Sequence, residues 1–163
     1  MKDSLFTSLR RQLQERRLAN DAAVVYRLSG GIADDRLEES VTVTAPGGLH
    51  VRVLDNLEKK REGEAHQEIG REAALDLFRL LLQGVESMIP AAEARFVPDT
   101  LVASVTVIVG DKKEAFCFLA DEEESRYRGQ PIKPELKMML DRLRQVEADS
   151  LHRVGRVTGK ESE

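Results

Sequence analysis

The sequence predicts an α+β fold: a five-stranded, mostly antiparallel sheet with helices packed on it, in the order α-β-β-β-α-β-β-α. Three observations lead there. Several short stretches alternate apolar and polar residues with the period of a strand, bounded by turn residues. Two longer stretches repeat apolar residues at helical spacing instead. At 163 residues the chain also has the size of one domain able to bury a real core. The expected organisation is an N-terminal amphipathic helix at 1–20, a single α+β domain at 21–152 and a flexible tail at 153–163.

Each element has its own warrant. Leu5, Phe6, Leu9 and Leu13 form an apolar stripe on an N-terminal helix otherwise rich in arginine, the pattern of a docked terminal helix. Residues 23–28, "AVVYRL", are a strand by β-branched content. "ESVTVT" at 39–44 alternates, "APGG" supplies a turn, and "LHVRVL" alternates again, with Leu49, Val51 and Val53 inward and His50 and Arg52 outward. Residues 55–68, "DNLEKKREGEAHQE", are so charged that they read as a surface loop. From Arg71 to Ile89 the period turns helical, and Pro90 closes it. "TLVASVTVIVGDKKEAFCFLA" reads as strand, turn and strand around Gly110-Asp111. A last helix starts at Pro134 with the stripe Leu136, Met139, Leu140, Leu143 and Val146.

Composition narrows the class of function. No apolar run approaches the roughly 20 residues of a membrane-spanning helix, and the N-terminus lacks the apolar stretch of a secretory signal. Cys117 is the single cysteine, so neither an internal disulfide nor a thiolate metal cluster is expected, which fits a cytoplasmic setting. With a net charge of −4, scattered basic residues and 4% aromatics, the chain is not built for nucleic acid.

Motifs of catalysis are missing. Gly30-Gly31 follows a strand, as a phosphate loop would, but "IADDRLEES" comes next and supplies carboxylates where a phosphate site needs lysine and a hydroxyl. His50, His66 and His152 show no i, i+4 metal spacing, so no metal site is expected; His152 reads as a complement to a helix C-terminus. Cys117, between Phe116 and Phe118, reads as a small buried hydrophobe. Asp121, Glu122, Glu123 and Glu124 form the densest run of charge, either a solvated loop or a negative rim for a partner. Neither catalytic residues nor a cofactor are expected.

The segment 29–38 is too long for a two-residue turn between strands at 23–28 and 39–44, so it reads as a loop. Glycine tolerates positive φ and leaves the backbone bare for a close neighbour. Gly30 and Gly31 are thus either a strand end or part of a loop that meets another chain, with Asp34 and Asp35 beside them.

A short strand ending in Ser-Gly-Gly-aliphatic, followed by an alternating strand and an amphipathic helix with a Leu-Phe-Arg-Leu-Leu core, resembles the emfourin family. The matching pieces are "VVYRLSGGIA", "ESVTVTAPGG", "ALDLFRLLLQGV", "PDTLVASVTVIVGDKKEAFCF" and "LKMMLDRLRQVE", which span most of 23–148. The resemblance implies a small cytoplasmic inhibitor of thermolysin-like metalloproteases. Departures are the extra N-terminal helix, the long stretches at 55–68 and 121–133, and Asp34 where the family has glycine.

The leading expectation is therefore a non-enzymatic, cytoplasmic protein-binding domain, in its narrow form a metalloprotease inhibitor. Its contacts would come from Leu28, Ser29, Gly30, Gly31, Ile32, Asp34 and Asp35, with the rim Asp121, Glu122, Glu123 and Glu124 as a second contact. A dimeric, acidic secretion chaperone shares the element order, which makes a homodimer the rival expectation. An enzyme or small-ligand protein would need a buried polar cluster around His50 or Cys117.

Overall fold

The computed structural model describes residues 4–32, 35–56, 61–95 and 100–158; side chains at 32, 35, 61 and 153–158 lie outside that description. Helix α1 (Leu5–Gln14) precedes four strands, β1 (Ala22–Ile32), β2 (Asp35–Thr44), β3 (Gly48–Asp55) and β4 (Arg61–Glu68). Helix α2 (Gly70–Val85), the two-residue strand β5 (Ile89–Pro90) and a 3-10 turn (Ala91–Glu93) follow. Strands β6 (Val102–Val109) and β7 (Lys112–Leu119), the short helix α3 (Glu122–Tyr127) and the long helix α4 (Pro134–Thr158) complete the chain.

The α+β class holds, but the expected five-stranded sheet is corrected to seven strands, in the spatial order β4-β3-β2-β1-β6-β7-β5 with every neighbouring pair antiparallel. Two strands were hidden in sequence. β4, "REGEAHQE", puts Glu62, Glu64, His66 and Glu68 on one face and only Gly63, Ala65 and Gln67 on the other, so no apolar alternation shows. Gly63 and Ala65 are small where α4 lies over them, a Cβ at Gly63 standing 2.9 Å from Leu151 Cδ2, and Gln67 donates to Ser150 Oγ of α4 at 2.8 Å. β5 falls where the helical periodicity of the sequence runs on to Ile89, whereas α2 stops at Val85.

Further boundaries move. β1 and β2 grow toward each other until Ile32 pairs with Asp35, so the expected loop at 29–38 is a hairpin. The 121–133 stretch contains α3, and α4 runs through Thr158, past the start of the expected tail and six residues beyond His152.

The core forms on one face of the sheet. Val24 pairs with Val43 and Val107, Tyr26 with Val41 and Val105, and Val41 with Val51, all of them buried. Helix α1, capped by Ser4 Oγ accepting from the Thr7 N–H at 3.0 Å, docks Leu9 and Leu13 into the same core. Its Phe6 ring meets Phe116 edge-on at 5.7 Å. Helix α2 contributes Phe78, Leu81 and Leu82, and α4 contributes Leu136, Met139 and Leu143. Each such burial favours folding by about 1.5–3 kcal/mol. Among the described residues, no helix is long and apolar enough to cross a membrane.

Because α1, α2 and α4 share one core, the opposite sheet face has no long helix on it among the described residues. Its side chains form rows across the strands. One runs His66, His50, Thr42, Val25, Thr106; the next runs Glu64, Arg52, Ser40, Arg27, Ser104. All of these residues are exposed or half-buried.

Candidate functional site

The hairpin of β1 and β2 was the leading sequence candidate, and the structure divides it. Leu28 is only 2% exposed and points into the core, so it is not a contact residue. Ser29 is exposed on the open face. Gly30 continues the inward phase of Leu28 but is roofed by its own chain: a Cβ there would lie 2.6 Å from Leu101 Cδ2 and 3.0 Å from both Leu101 Cα and Thr100 O. Its bare backbone serves that internal approach. Gly31 has φ +95°, a conformation that favours glycine at the hairpin end. Asp34 and the side chains of Ile32 and Asp35 lie outside the described residues. Neighbouring chain accompanies the hairpin past the ends of β3 and β6: the Asn56 N–H donates to the Arg36 carbonyl at 2.8 Å, and Thr100 and Leu101 lie against Gly30.

The acidic run is a built structural element. Asp121 caps α3, its carboxylate accepting from the Glu124 N–H at 3.0 Å. Glu122 meets Lys137 Nζ at 2.9 Å and Arg126 at 3.8 Å, and Glu124 meets Arg128 Nε at 2.8 Å. The Lys137 hydrogen bond, followed by the charges of Lys137 and Arg126, holds the Glu122 carboxyl below its ordinary range. Three carboxylates in the first turn also suit the positive end of the helix dipole. Of the run, Glu123 has the least to do inside the fold.

The histidines were expected to stay apart, and here the structure corrects the sequence. β3 and β4 pair so that His50 faces His66 directly, with rings stacked at 4.0 Å between centroids and 8° between planes. Glu64 sits two residues before His66 on the same face. His50 Nε2 and Glu64 Oε2 are hydrogen-bonded at 2.7 Å, and His66 Nε2 lies 3.6 Å from the same oxygen. That hydrogen bond is the largest influence lowering the Glu64 carboxyl below its usual range; the charges of His50, His66 and Arg52 add to it. One donor atom from each of the three residues falls within 4.8 Å of the others, so together they could hold a metal ion. The side chains of His50, Glu64 and His66 are 33%, 54% and 73% exposed, so the group stands on the open face rather than in a closed hollow.

Cys117 is 4% exposed and burial pushes its thiol up, as expected of a small buried hydrophobe, although its pairing with Ser104 puts it on the sheet face opposite the main core. A depression of about 400 Å³ beside it is lined by Ile89, Phe118, Pro131, Ile132 and Leu136 among others. The buried polar cluster of the fold lies elsewhere. Glu39 of β2 and Glu147 of α4 sit on the covered face near Tyr26, whose hydroxyl is driven well above its ordinary value by burial, then by those two carboxylates. Sequence reasoning missed both acids, although the signal was present: Glu39 falls in the inward phase of Leu37, Val41 and Val43, and Glu147 falls four residues after Leu143 on the α4 stripe.

The described residues thus define a two-layer α+β domain with one sheet face free of long helices, a long β1–β2 hairpin and a His-Glu-His group. No family model matches the chain, and no curated protein matches it. Among solved structures, it aligns with an SsgA-like sporulation-specific cell division protein from Thermobifida fusca at 10% identity, covering 86% of this chain and 94% of that one with a TM-score of 0.20. A superposition that loose carries no argument about fold or function.

Proposed function

We propose that the chain is a non-enzymatic, cytoplasmic protein-binding domain that receives its partner on the open sheet face. One observation carries this reading: α1, α2 and α4 pack into a single core on one side of the seven-stranded sheet, so that among the described residues no long helix covers the other face. The middle of that face carries the short side chains Val25, Ser40, Thr42, Ser104 and Thr106, with Arg27 between Ser40 and Ser104. Arg27 and Arg52 flank Ser40 in one row, about 10 Å apart across β2, and suit carboxylates on a flat protein surface.

The narrow form of the proposal is inhibition of a thermolysin-like metalloprotease, as the emfourin resemblance implies. The β1–β2 hairpin favours it, because Ser29 is exposed and Gly31 half-buried at the end of the sheet, where a groove could receive them. Titrating the chain into such a protease with a fluorogenic peptide tests this. Hydrolysis slowed at micromolar chain, and restored by a Thr42→Arg/Thr106→Arg variant, supports both the activity and the face. Unchanged hydrolysis removes the inhibitor reading. Sizing chromatography then decides the rival: a dimer broken by the same double variant assigns the face to a second copy of the chain.

A further inference from the structure

We propose that His50, Glu64 and His66 form a zinc-binding site on the open sheet face, with three protein ligands and one position left to water. The inference goes beyond the partner-binding reading and depends on different atoms. Antiparallel pairing of β3 with β4 makes His50 and His66 cross-strand neighbours, and the strand period of two places Glu64 on the same side as His66. Two imidazoles and one carboxylate are the donor types zinc takes, at about 2.0–2.2 Å from the ion. Tetrahedral ligands at that length stand about 3.4 Å from one another. The separations from Glu64 Oε2 are 2.7 Å to His50 Nε2 and 3.6 Å to His66 Nε2, on either side of that figure.

What must change to admit the ion is small and local. The stacked rings have to splay, and the Glu64 carboxylate has to turn toward the gap. Both motions are rotations of half-buried or exposed side chains on a paired, fixed backbone. The proton that a neutral His50 places between Nε2 and Glu64 moves to Nδ1, leaving Nε2 as a ligand. Glu68, two residues beyond His66 on the same face, adds negative charge, while Arg52 opposite Glu64 opposes the cation. Three ligands, a competing arginine and exposure to water make the site weaker than a closed four-ligand one. The vacant fourth position gives an exchangeable site rather than a closed structural one.

Isothermal titration of zinc chloride into the full, untagged chain at neutral pH tests the site. One equivalent should bind, and cobalt(II) should give the intense visible absorption of tetrahedral coordination. His50→Ala and His66→Ala should each weaken zinc by tenfold or more, Glu64→Gln should weaken it measurably, and His152→Ala should leave it unchanged. Far-UV circular dichroism verifies that each variant folds, with His66→Gln as the milder replacement. In the unaltered chain, the ring signals of His50 and His66 should shift on adding zinc while those of His152 stay. Absence of binding at tenfold excess of zinc, binding retained by His50→Ala/His66→Ala, or a shift at His152 instead would overturn the proposal. The titration needs no partner protein, so its outcome is separate from that of the protease assay.

Discussion

Replacing Gly30 by alanine turns the question of why that glycine is there into a sign. If the bare backbone at 30 were kept open for a partner, an added methyl would meet nothing in the free chain. Alanine would then stabilise the domain by about 0.4–1 kcal/mol, by reducing the freedom of the unfolded state. The structure argues the reverse. The new Cβ would lie 2.6 Å from Leu101 Cδ2 and 3.0 Å from Leu101 Cα and Thr100 O. The Leu101 methyl can swing away, but the two backbone atoms move only if the segment entering β6 moves with them. Overpacking of that kind costs about 1–3 kcal/mol. Set against the entropic gain, Gly30→Ala should destabilise by roughly 1–2 kcal/mol, which for a domain of this size is about 2–8 °C in Tm.

Urea unfolding followed by circular dichroism measures it. A second variant identifies the cause. Leu101→Ala removes the nearest contact but leaves the two at 3.0 Å, so in that background the cost of Gly30→Ala should fall by about 0.5–1 kcal/mol. Strict additivity, or a stabilised Gly30→Ala, refutes the internal contact and returns Gly30 to the surface.

Two further outcomes follow from buried and paired polar groups. The Tyr26 hydroxyl is buried without a hydrogen-bond partner among the described residues, so Tyr26→Phe should be neutral or raise stability by about 1 kcal/mol in thermal unfolding; a clear loss would show the hydroxyl to be bonded. Glu122 and Glu135 are both held below the ordinary glutamate range, the first chiefly by the hydrogen bond from Lys137 and the second by its own backbone N–H, then by Ser87. A carboxyl lowered by folding adds stability above its unfolded value of about 4.3, and that contribution disappears as pH falls through the lower folded value. In an NMR titration both should titrate below free glutamates, and Lys137→Ala should raise Glu122 while leaving Glu135 in place; Glu122 unmoved by that change would refute the pairing.

Much of the fold was legible because the relevant residues obey one rule at a time. β3 alternates Leu49, Val51 and Val53 with His50 and Arg52, and α4 opens on Pro134 with a regular stripe, so periodicity and capping agree. β6 and β7 turn around Gly110, which adopts the positive φ such a turn asks for. The hairpin was harder to read, because Ser29, Gly30 and Gly31 carry little strand propensity. What extends β1 to Ile32 is its ladder with β2, a tertiary fact. Asp121 reads as charge in a list of residues and as a helix cap in space, since capping depends on the backbone of Glu124.

The largest fold error and the missed candidate site share one cause. Hydrophobic alternation detects a strand only if its inward positions are apolar and large, and β4 fills those positions with Gly63, Ala65 and Gln67 so that α4 can approach. Taken as a loop, the segment leaves His66 sixteen residues from His50 with no reason to meet it. Taken as a strand in the observed register, Gly48 opposite Glu68, it brings His50 onto His66 and sets Glu64 beside them. The charges that disguised β4 also suit its position, because it is an edge of the sheet and charged side chains there discourage pairing with other chains. A stretch such as "REGEAHQE" next to an alternating strand is therefore better tested as an edge strand, by asking which of its polar residues the partner's register would gather, before it is set aside as loop.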